Sequence, residues 1–396
     1  MGKAGINGAN VKQKNRGLTL RLIACGEADS RVALTRKTGL TKMTVSNIIS
    51  AFLEAGYLVE TEIQRNEKRG CNPVRLALAE SAPKALALAL TRDKAAAVLV
   101  DLSGRMRGET AVVPLERETP ETLRRKLISA AETALGQTRE RILGIGVASI
   151  GPVHAGKGVL LNPVNFFGIS NFDIKGVLEQ AFGLPAVVNN DMNAAALAER
   201  LYGAGRAYEN FVYLGIANGI GAGVVANGAL YYNPSGFSGE VGHMSIQADG
   251  RPCFCGNRGC LETYASIPVI TAALRQACGL ACAPNPQAFP YLYQNPAGRA
   301  VFDQMEEKLT AALVNLANLF SPQAILVGHD GFYLPEEMLQ RMEEQLNRRV
   351  LFAGCQEVRL LRSAFRDQAL LLGAACCVFQ RVFDGTWALD ETEEKM

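Results

Sequence analysis

One histidine and three cysteines fall within 22 residues, GEVGHMSIQADGRPCFCGNRGC (239–260), as His243, Cys253, Cys255 and Cys260. One imidazole and three thiolates make a closed tetrahedral set for Zn2+. No position is left for water, so such a metal holds structure and does no chemistry itself. Gly256 and Gly259 suit this reading, because thiolates from one loop converge only where the backbone turns sharply. A redox switch and a group of unligated surface cysteines are the competing readings. Two carboxylates are tied to the same loop, Glu240 three residues before His243 and Glu262 two after Cys260. Asn190 and Asp191 close the apolar run AVVNND (186–191), at the strand end where open α/β sheets place ligand-binding residues. Carboxylates and amides that accept hydroxyl protons recognise vicinal hydroxyls selectively, since an analogue lacking one leaves a buried acceptor unpaired. Asp191 is also of the right type to take a proton from such a hydroxyl.

These residues need a scaffold. The chain has 396 residues, 48% hydrophobic and 20% charged, enough for two or three domains with large cores. The opening stretch MGKAGINGANVKQKNRG has no apolar segment of the signal-peptide kind, and no later run of about 18 apolar residues is long enough to span a bilayer. A cytoplasmic protein without a membrane partner is expected. Ten cysteines in a reducing compartment do not suggest a disulfide framework, and Cys376 and Cys377 lie in LLLGAACCVF, which reads as a buried helix. Apolar runs at 85–90, 95–102, 141–149, 186–191, 210–217, 221–230 and 324–330 alternate with helical patterns, the signature of α/β sheets covered by helices. A ligand is expected between the lobes. The helix expected over 303–320 is apolar enough to serve as core or as an oligomer interface.

The front end differs in charge from the rest. Residues 1–78 carry 13 Lys and Arg against 6 Asp and Glu, and the remainder carries 28 against 32, so only the front end favours a polyanion. GLTLRLIACG (17–26) is apolar at helical spacing, Ser30 and Gly39 bracket a second helix, and Thr41 caps a third. In that third helix Val45, Ile48, Ile49, Phe52 and Leu53 recur on one face. Three short helices with a glycine turn before the third predict a helix-turn-helix, in which Lys42, Met43, Thr44, Ser46 and Asn47 point toward base edges. The segment YLVETEIQRNEKRGCNPVRLALA alternates like a two-stranded wing, with Lys68, Arg69 and Arg75 placed for phosphates or a minor groove. A helical protein-interaction domain with a solvated basic face is the bland alternative.

Several motifs together name a family. PAVVNNDMNAAALAE (185–199), GIGAGVV (219–225), GEVGH (239–243) with its cysteines, and CLETYAS (260–266) resemble the ROK family of bacterial sugar kinases and sugar-responsive repressors. GLTKMTVSNIISAFLEAGYLVE resembles the winged-helix front end of its repressor branch, to which xylose and N-acetylglucosamine repressors belong. The resemblance covers almost the whole chain, and the His-x9-Cys-x-Cys-x4-Cys spacing is rarely met by chance. It implies an α/β, actin-like, two-lobed sugar-kinase fold with an N-terminal winged helix-turn-helix, divided as a DNA-binding domain (1–78), a linker (79–84) and a ROK sugar-binding domain with a structural zinc site (85–396). By similarity Asn190, Asp191, Glu240, His243 and Glu262 match the family's sugar contacts, with Asn165 in NPVNFFG a weaker match. In that pattern the zinc-ligating histidine also offers its second nitrogen to the sugar.

Phosphoryl transfer needs a cradle for ATP as well as a base. The family's first Asp-x-Gly-Gly-Thr loop falls here on Ala89, Leu90, Thr91, Arg92 and Asp93. The second, Gly-Thr-Gly-x-Gly, reads Ala217, Asn218, Gly219, Ile220 and Gly221, and the adenosine-side Gly-Gly-Gly reads Gly328, His329 and Asp330. The wing's Gly-Gly-Arg-Pro also departs, reading Gly70, Cys71, Asn72 and Pro73, so Arg69 or Arg75 must stand in for its arginine. The expectation is a sugar-responsive repressor that binds operator DNA as a homodimer or homotetramer, has no catalytic residue, and uses Zn2+ only structurally. The alternatives are an active ATP-dependent kinase of the glucokinase or N-acetylglucosamine kinase type with an appended DNA-binding domain and Asp191 as base, and a regulator that answers to a protein partner.

Overall fold

The computed structural model describes residues 8–61, 74–136, 140–231, 233 and 239–389. Three helices open the chain, α1 (Gly8–Ala24), α2 (Arg31–Thr38) and α3 (Lys42–Glu54). Their ends follow local chemistry. Ser30 accepts from the Ala33 N–H to start α2, Gly39 at φ 70° ends it by donating to the Thr35 carbonyl, and Thr41 accepts from the Thr44 N–H to start α3. Helix α3 buries Val45, Ile48, Ile49 and Phe52, while Leu53 is half-buried. Helix α1 begins nine residues ahead of the apolar run at 17–26, because the polar turns before Gly17 continue it. Strands β1 (Leu58–Thr61) and β2 (Arg75–Leu78) pair antiparallel, Leu58 opposite Leu78 and Thr61 opposite Arg75. Residues 62–73, which include Lys68, Arg69 and the sequence Gly70 to Pro73, lie outside the described residues.

The chain divides into two compact units, one of residues 1–150, 157–188 and 374–396, the other of 151–156 and 189–373. In the first, β3 (Lys84–Leu90), β4 (Lys94–Val100) and β5 (Met106–Pro114) form an antiparallel meander. Then follow α4 (Pro120–Leu135), β6 (Ile142–Ser149), β7 (Val153–His154), which falls in the second unit's 151–156 stretch, then β8 (Val159–Leu160), β9 (Phe172–Asp173), α5 (Ile174–Phe182) and β10 (Ala186–Asn190). The sheet order is β10-β6-β3-β4-β5, with β6 parallel to β3. Strand β3 is buried throughout, as its unbroken Ala and Leu run requires.

The second unit starts with α6 (Asp191–Tyr202) and the meander β11 (Phe211–Ile216), β12 (Ile220–Ala226) and β13 (Ala229–Leu230). Helices α7 (Glu262–Ala265), α8 (Ile267–Ala277), α9 (Phe289–Leu292) and α10 (Pro296–Phe320) lead to β14 (Ala324–His329), α11 (Glu336–Arg349), β15 (Arg359–Arg362) and α12 (Ala369–Phe383), whose residues from 374 on belong to the first unit. Its order is β13-β12-β11-β14-β15, with β14 parallel to both neighbours. Each sheet thus follows one plan, a meander with two later strands added beside its first strand. Helix α10 supplies Phe302, Met305, Leu309, Leu313 and Leu316 to the second unit's core. Cys376 and Cys377 are buried in α12. Among the described residues, no helix is long and apolar enough to cross a membrane.

The opening helices are docked rather than tethered. A Cβ at Gly17 would overlap the Val382 and Phe383 carbonyls, so α1 lies directly on the end of α12. Tyr57 Oη donates to the Leu389 carbonyl at 3.3 Å, and Arg141 donates to the Ala55 carbonyl at 2.7 Å while lying 5.0 Å over the Tyr57 ring. Residues 79–83 turn into β3, with Ala82 and the first strand residue Lys84 buried.

Candidate functional site

The cysteine loop closes as its glycines suggest. Gly256 and Gly259 adopt φ of 90° and 71°, and the Cys253 N–H donates to the Asn257 carbonyl at 2.9 Å. His243, Cys253, Cys255 and Cys260 place one ligand atom each within 4.8 Å of all the others. Cys255 and Cys260 keep their Sγ atoms 3.7 Å apart, far beyond a disulfide bond. His243 turns Nδ1 inward, 3.6 Å from Cys253 Sγ, which leaves Nε2 outside the cluster. Burial pushes the Cys253 thiol up to about 12, a state that a bound dication reverses by holding the thiolate. Tyr264 fastens the loop, accepting from the Arg251 N–H at 2.8 Å beneath the Arg251 guanidinium. That aromatic anchor has no spacing signal in the sequence beyond its place in CLETYAS.

Glu262 connects this cluster to the hydroxyl-binding candidates. Its Oε1 lies 3.3 Å from His243 Nδ1 and accepts from the Cys253 thiol at 3.1 Å, and its Oε2 lies near Gly219 in the β11–β12 turn. Gly239 packs on Ala222 and Gly242 on Ile220, so the Glu240 to His243 segment is laid along β12. Glu240 is exposed at the site's rim, and burial of its carboxyl followed by the field of Glu262 raises its pKa against the pull of His243.

Asn190 caps α6 by accepting from the Met192 N–H at 2.9 Å, and Asp191 is that helix's first residue. Asn189, which sequence reasoning left aside, accepts from the Asn190 N–H and from the Asn193 side chain, fixing the turn from strand to helix. The Asp191 carboxyl accepts from the Met192 N–H, an arrangement that favours its ionised form. Burial overrides this. Together with the Glu240 charge, it lifts Asp191 from 3.8 to about 7. Asn190, Asp191, Glu240, His243 and Glu262 all belong to the second unit, whereas Asn165, half-buried with φ 54°, belongs to the first. Beside Asn165, the Val164 carbonyl accepts from Arg92.

At the front end, Lys42, Met43 and Asn47 are exposed on α3, and Thr44 and Ser46 are half-buried. Thr44 is partly occupied by its own cap, with Oγ1 2.9 Å from that of Thr41. Arg75 faces solvent and lies 3.4 Å from Asp29.

An aspartic acid held near 7 when folded and near 4 when unfolded takes up a proton on folding between those values, so stability falls as pH rises from about 4 to about 7. Asp191→Asn removes that cost. The variant is expected to melt with wild type below pH 4 and to be more stable by roughly 2–4 kcal/mol near pH 8, each tenfold change in proton affinity being worth about 1.4 kcal/mol. Thermal unfolding across pH checks this, and a constant difference between the two proteins contradicts it.

Comparison with known proteins bears on the whole chain. The ROK family pattern matches residues 85–381. The xylose repressor of Caldicellulosiruptor bescii is 27% identical over 384 residues, covering 93% of this chain and 96% of that one. Among solved structures, a ROK family transcriptional regulator described as a homologue of the Escherichia coli Mlc protein aligns with a TM-score of 0.81 at 27% identity, over 95% of this chain and 98% of the other. A ROK hexokinase from Thermus thermophilus aligns with a TM-score of 0.65 at 31% identity, over 76% of this chain and 99% of the other. The hexokinase match thus leaves about a quarter of this chain uncovered, while the regulator match extends over nearly all of it. With the family pattern spanning most of its length and the fold shared with both kinds of member, the chain belongs to the ROK family.

Proposed function

We propose that the protein is a sugar-responsive, DNA-binding transcriptional regulator, a repressor of carbohydrate uptake or catabolism genes, that binds its sugar without phosphorylating it. The observation that carries the reading is the contrast between a grouped hydroxyl-binding set and closed nucleotide loops. Where the family's first phosphate loop falls, β3 and β4 are joined by a tight turn. The Thr91 N–H donates to the Lys94 carbonyl, the Thr91 hydroxyl donates to Asp93, and Arg92 reaches the Val164 carbonyl. An anion there meets a carboxylate in place of open amides. In the second loop the Ala217 N–H is spent on the Gly219 carbonyl. Gly221 and Gly223 admit Met192 and Ala196 of α6, so these glycines serve helix packing. At the third, His329 puts a buried imidazole where the family's kinases have glycine.

In this reading residues 1–78 form the winged helix-turn-helix, 79–84 join it to the sugar-binding domain of 85–396, and α3 enters the major groove with Lys42, Met43 and Asn47 leading. Thr44, Ser46 and Arg75 support the same contact, with Lys68 and Arg69 on the wing. Asn190, Asp191, Glu240, His243 and Glu262 hold sugar hydroxyls, and Asn165 is a further candidate. His243 Nδ1 and the three thiolates hold Zn2+, which aims His243 Nε2 and Glu262. Two copies at least are required to read a palindromic operator.

The metal is checked by elemental analysis of protein purified without chelator. One zinc per chain is expected, and Cys255→Ser is expected to lower both zinc content and sugar affinity about tenfold or more. Protein free of zinc contradicts the assignment.

Regulation and catalysis separate in one set of assays. Wild type is expected to release no ADP from ATP with D-xylose, D-glucose or N-acetyl-D-glucosamine. Asn47→Ala is expected to weaken operator binding about tenfold while leaving calorimetric sugar binding unchanged. Steady ADP release lost in Asp191→Asn establishes the kinase alternative instead.

A further inference from the structure

His329 ends β14 beside Ile216 at the end of β11, on the carboxyl edge of the parallel pair in the second unit. Its backbone, at φ 54° and ψ −141°, lies in a region that glycine occupies freely and a residue with a Cβ adopts at a cost. The ring is held on one side only. Nδ1 lies 3.0 Å from Tyr213 Oη, with the two rings edge to face at 5.8 Å. Tyr213 can rise to this position because Gly328 carries no side chain, and a Cβ there would overlap the phenol oxygen. Behind Tyr213 stands Ser363, which donates to the buried Glu199 carboxylate at 2.6 Å. Glu199 is itself closed by the Ala364 and Ala204 N–H groups. A buried polar chain therefore fixes the imidazole, and at its free end Nε2 is buried with no hydrogen-bond partner among the described residues. An unpaired buried nitrogen is costly, and this one adds to a strained backbone.

The same ring packs beside the first turn of α6, which carries Asp191. Gly215 leaves room for both His329 Nδ1 and the Met192 thioether, and Met192 directly follows Asp191. Burial lowers the imidazole to about 4, so it stays neutral at physiological pH. The charges acting on Tyr213 beside it, Glu199 and Asp191, are carboxylates. A phosphate or carboxylate ligand is disfavoured at such an edge, and a hydroxyl, which pairs with either imidazole tautomer, is not.

We propose that the carboxyl edge of β11 and β14 is a ligand subsite in which His329 Nε2 binds an uncharged, hydroxyl-bearing group of the sugar effector, beyond the hydroxyls held by Asp191 and its neighbours. This subsite rests on the sugar-binding reading above. It makes His329 a specificity residue at the place where the family's kinases have glycine.

Two substitutions separate the ring's nitrogens, since glutamine carries a polar atom near the position of Nε2 and asparagine near that of Nδ1. Full-length wild type, His329→Gln and His329→Asn are titrated calorimetrically with D-xylose, D-glucose and N-acetyl-D-glucosamine, with thermal melts confirming that each folds. For the sugar that wild type binds, His329→Asn is expected to lose about tenfold in affinity and His329→Gln to stay within about threefold. Equal affinity in all three proteins overturns the subsite and leaves Nε2 with a structural water only. Greater loss in His329→Gln than in His329→Asn also overturns it, because the ring then acts through Tyr213. If wild type binds none of the three sugars, the sensor reading falls and the subsite with it, a result distinct from loss of the subsite alone.

Discussion

Helix α6 lies directly against the β11–β12 hairpin because Gly221 and Gly223 leave space for Met192 and Ala196, and the rest of the site depends on that approach. A methyl group at Gly223 would overlap the Met192 carbonyl and one at Gly221 the Met192 side chain, overpacking that costs about 1–3 kcal/mol. With α6 seated, its first turn carries Asn190 as cap and Asp191 as first residue to a half-buried position near Glu240. The segment that leads into the zinc-type loop lies on the same hairpin through Gly239 on Ala222, and Glu262 lies near Gly219. The glycines of GIGAGVV therefore set the distance between helix and hairpin, on which the proposed hydroxyl-binding group is built.

Much of this was legible in the chain. The His and Cys spacing announced a converged cluster, because four soft donors in one glycine-bearing loop have few other uses, and the four ligand atoms lie within 4.8 Å of one another. The apolar runs at 85–90 and 324–330 became central strands, since a strand buried on both faces reads as continuous Ala, Leu, Ile and Val. Helix α3 was readable from Thr41 and the spacing of its apolar face. Less legible were β5, whose residues are mostly exposed in a sheet-edge strand, and the four-residue β15 at the other unit's edge. Neither has the apolar run or alternation that marks a buried strand. The assignment of Asn165 to a different unit from Asn190 was also hidden, because a shared motif set does not reveal where the chain divides.

His329 shows a different limit. In sequence it is a missing glycine and suggests only a lost function. The fold gives it a fixed tautomeric partner in Tyr213, a backbone conformation suited to glycine and an unpaired nitrogen at a ligand edge. None of these follows from residue type. In the proposed function, a side chain at this position replaces the kinases' glycine with a neutral hydrogen-bonding group. The docking of α1 on α12 through Gly17, with Arg141 bound to Ala55 and Tyr57, gives the opening helices the same rigid seat as the first unit's sheet.

In the proposed function sugar and operator are linked ligands of one protein, and linkage makes the effect reciprocal. The most direct measurement is the calorimetric sugar affinity of free protein and of protein saturated with a duplex selected from a random pool. Operator affinity is measured in parallel with and without the sugar. Both affinities are expected to fall by the same factor, about 5–150-fold for a coupling of roughly 1–3 kcal/mol. A sugar affinity unchanged by bound operator contradicts the claim.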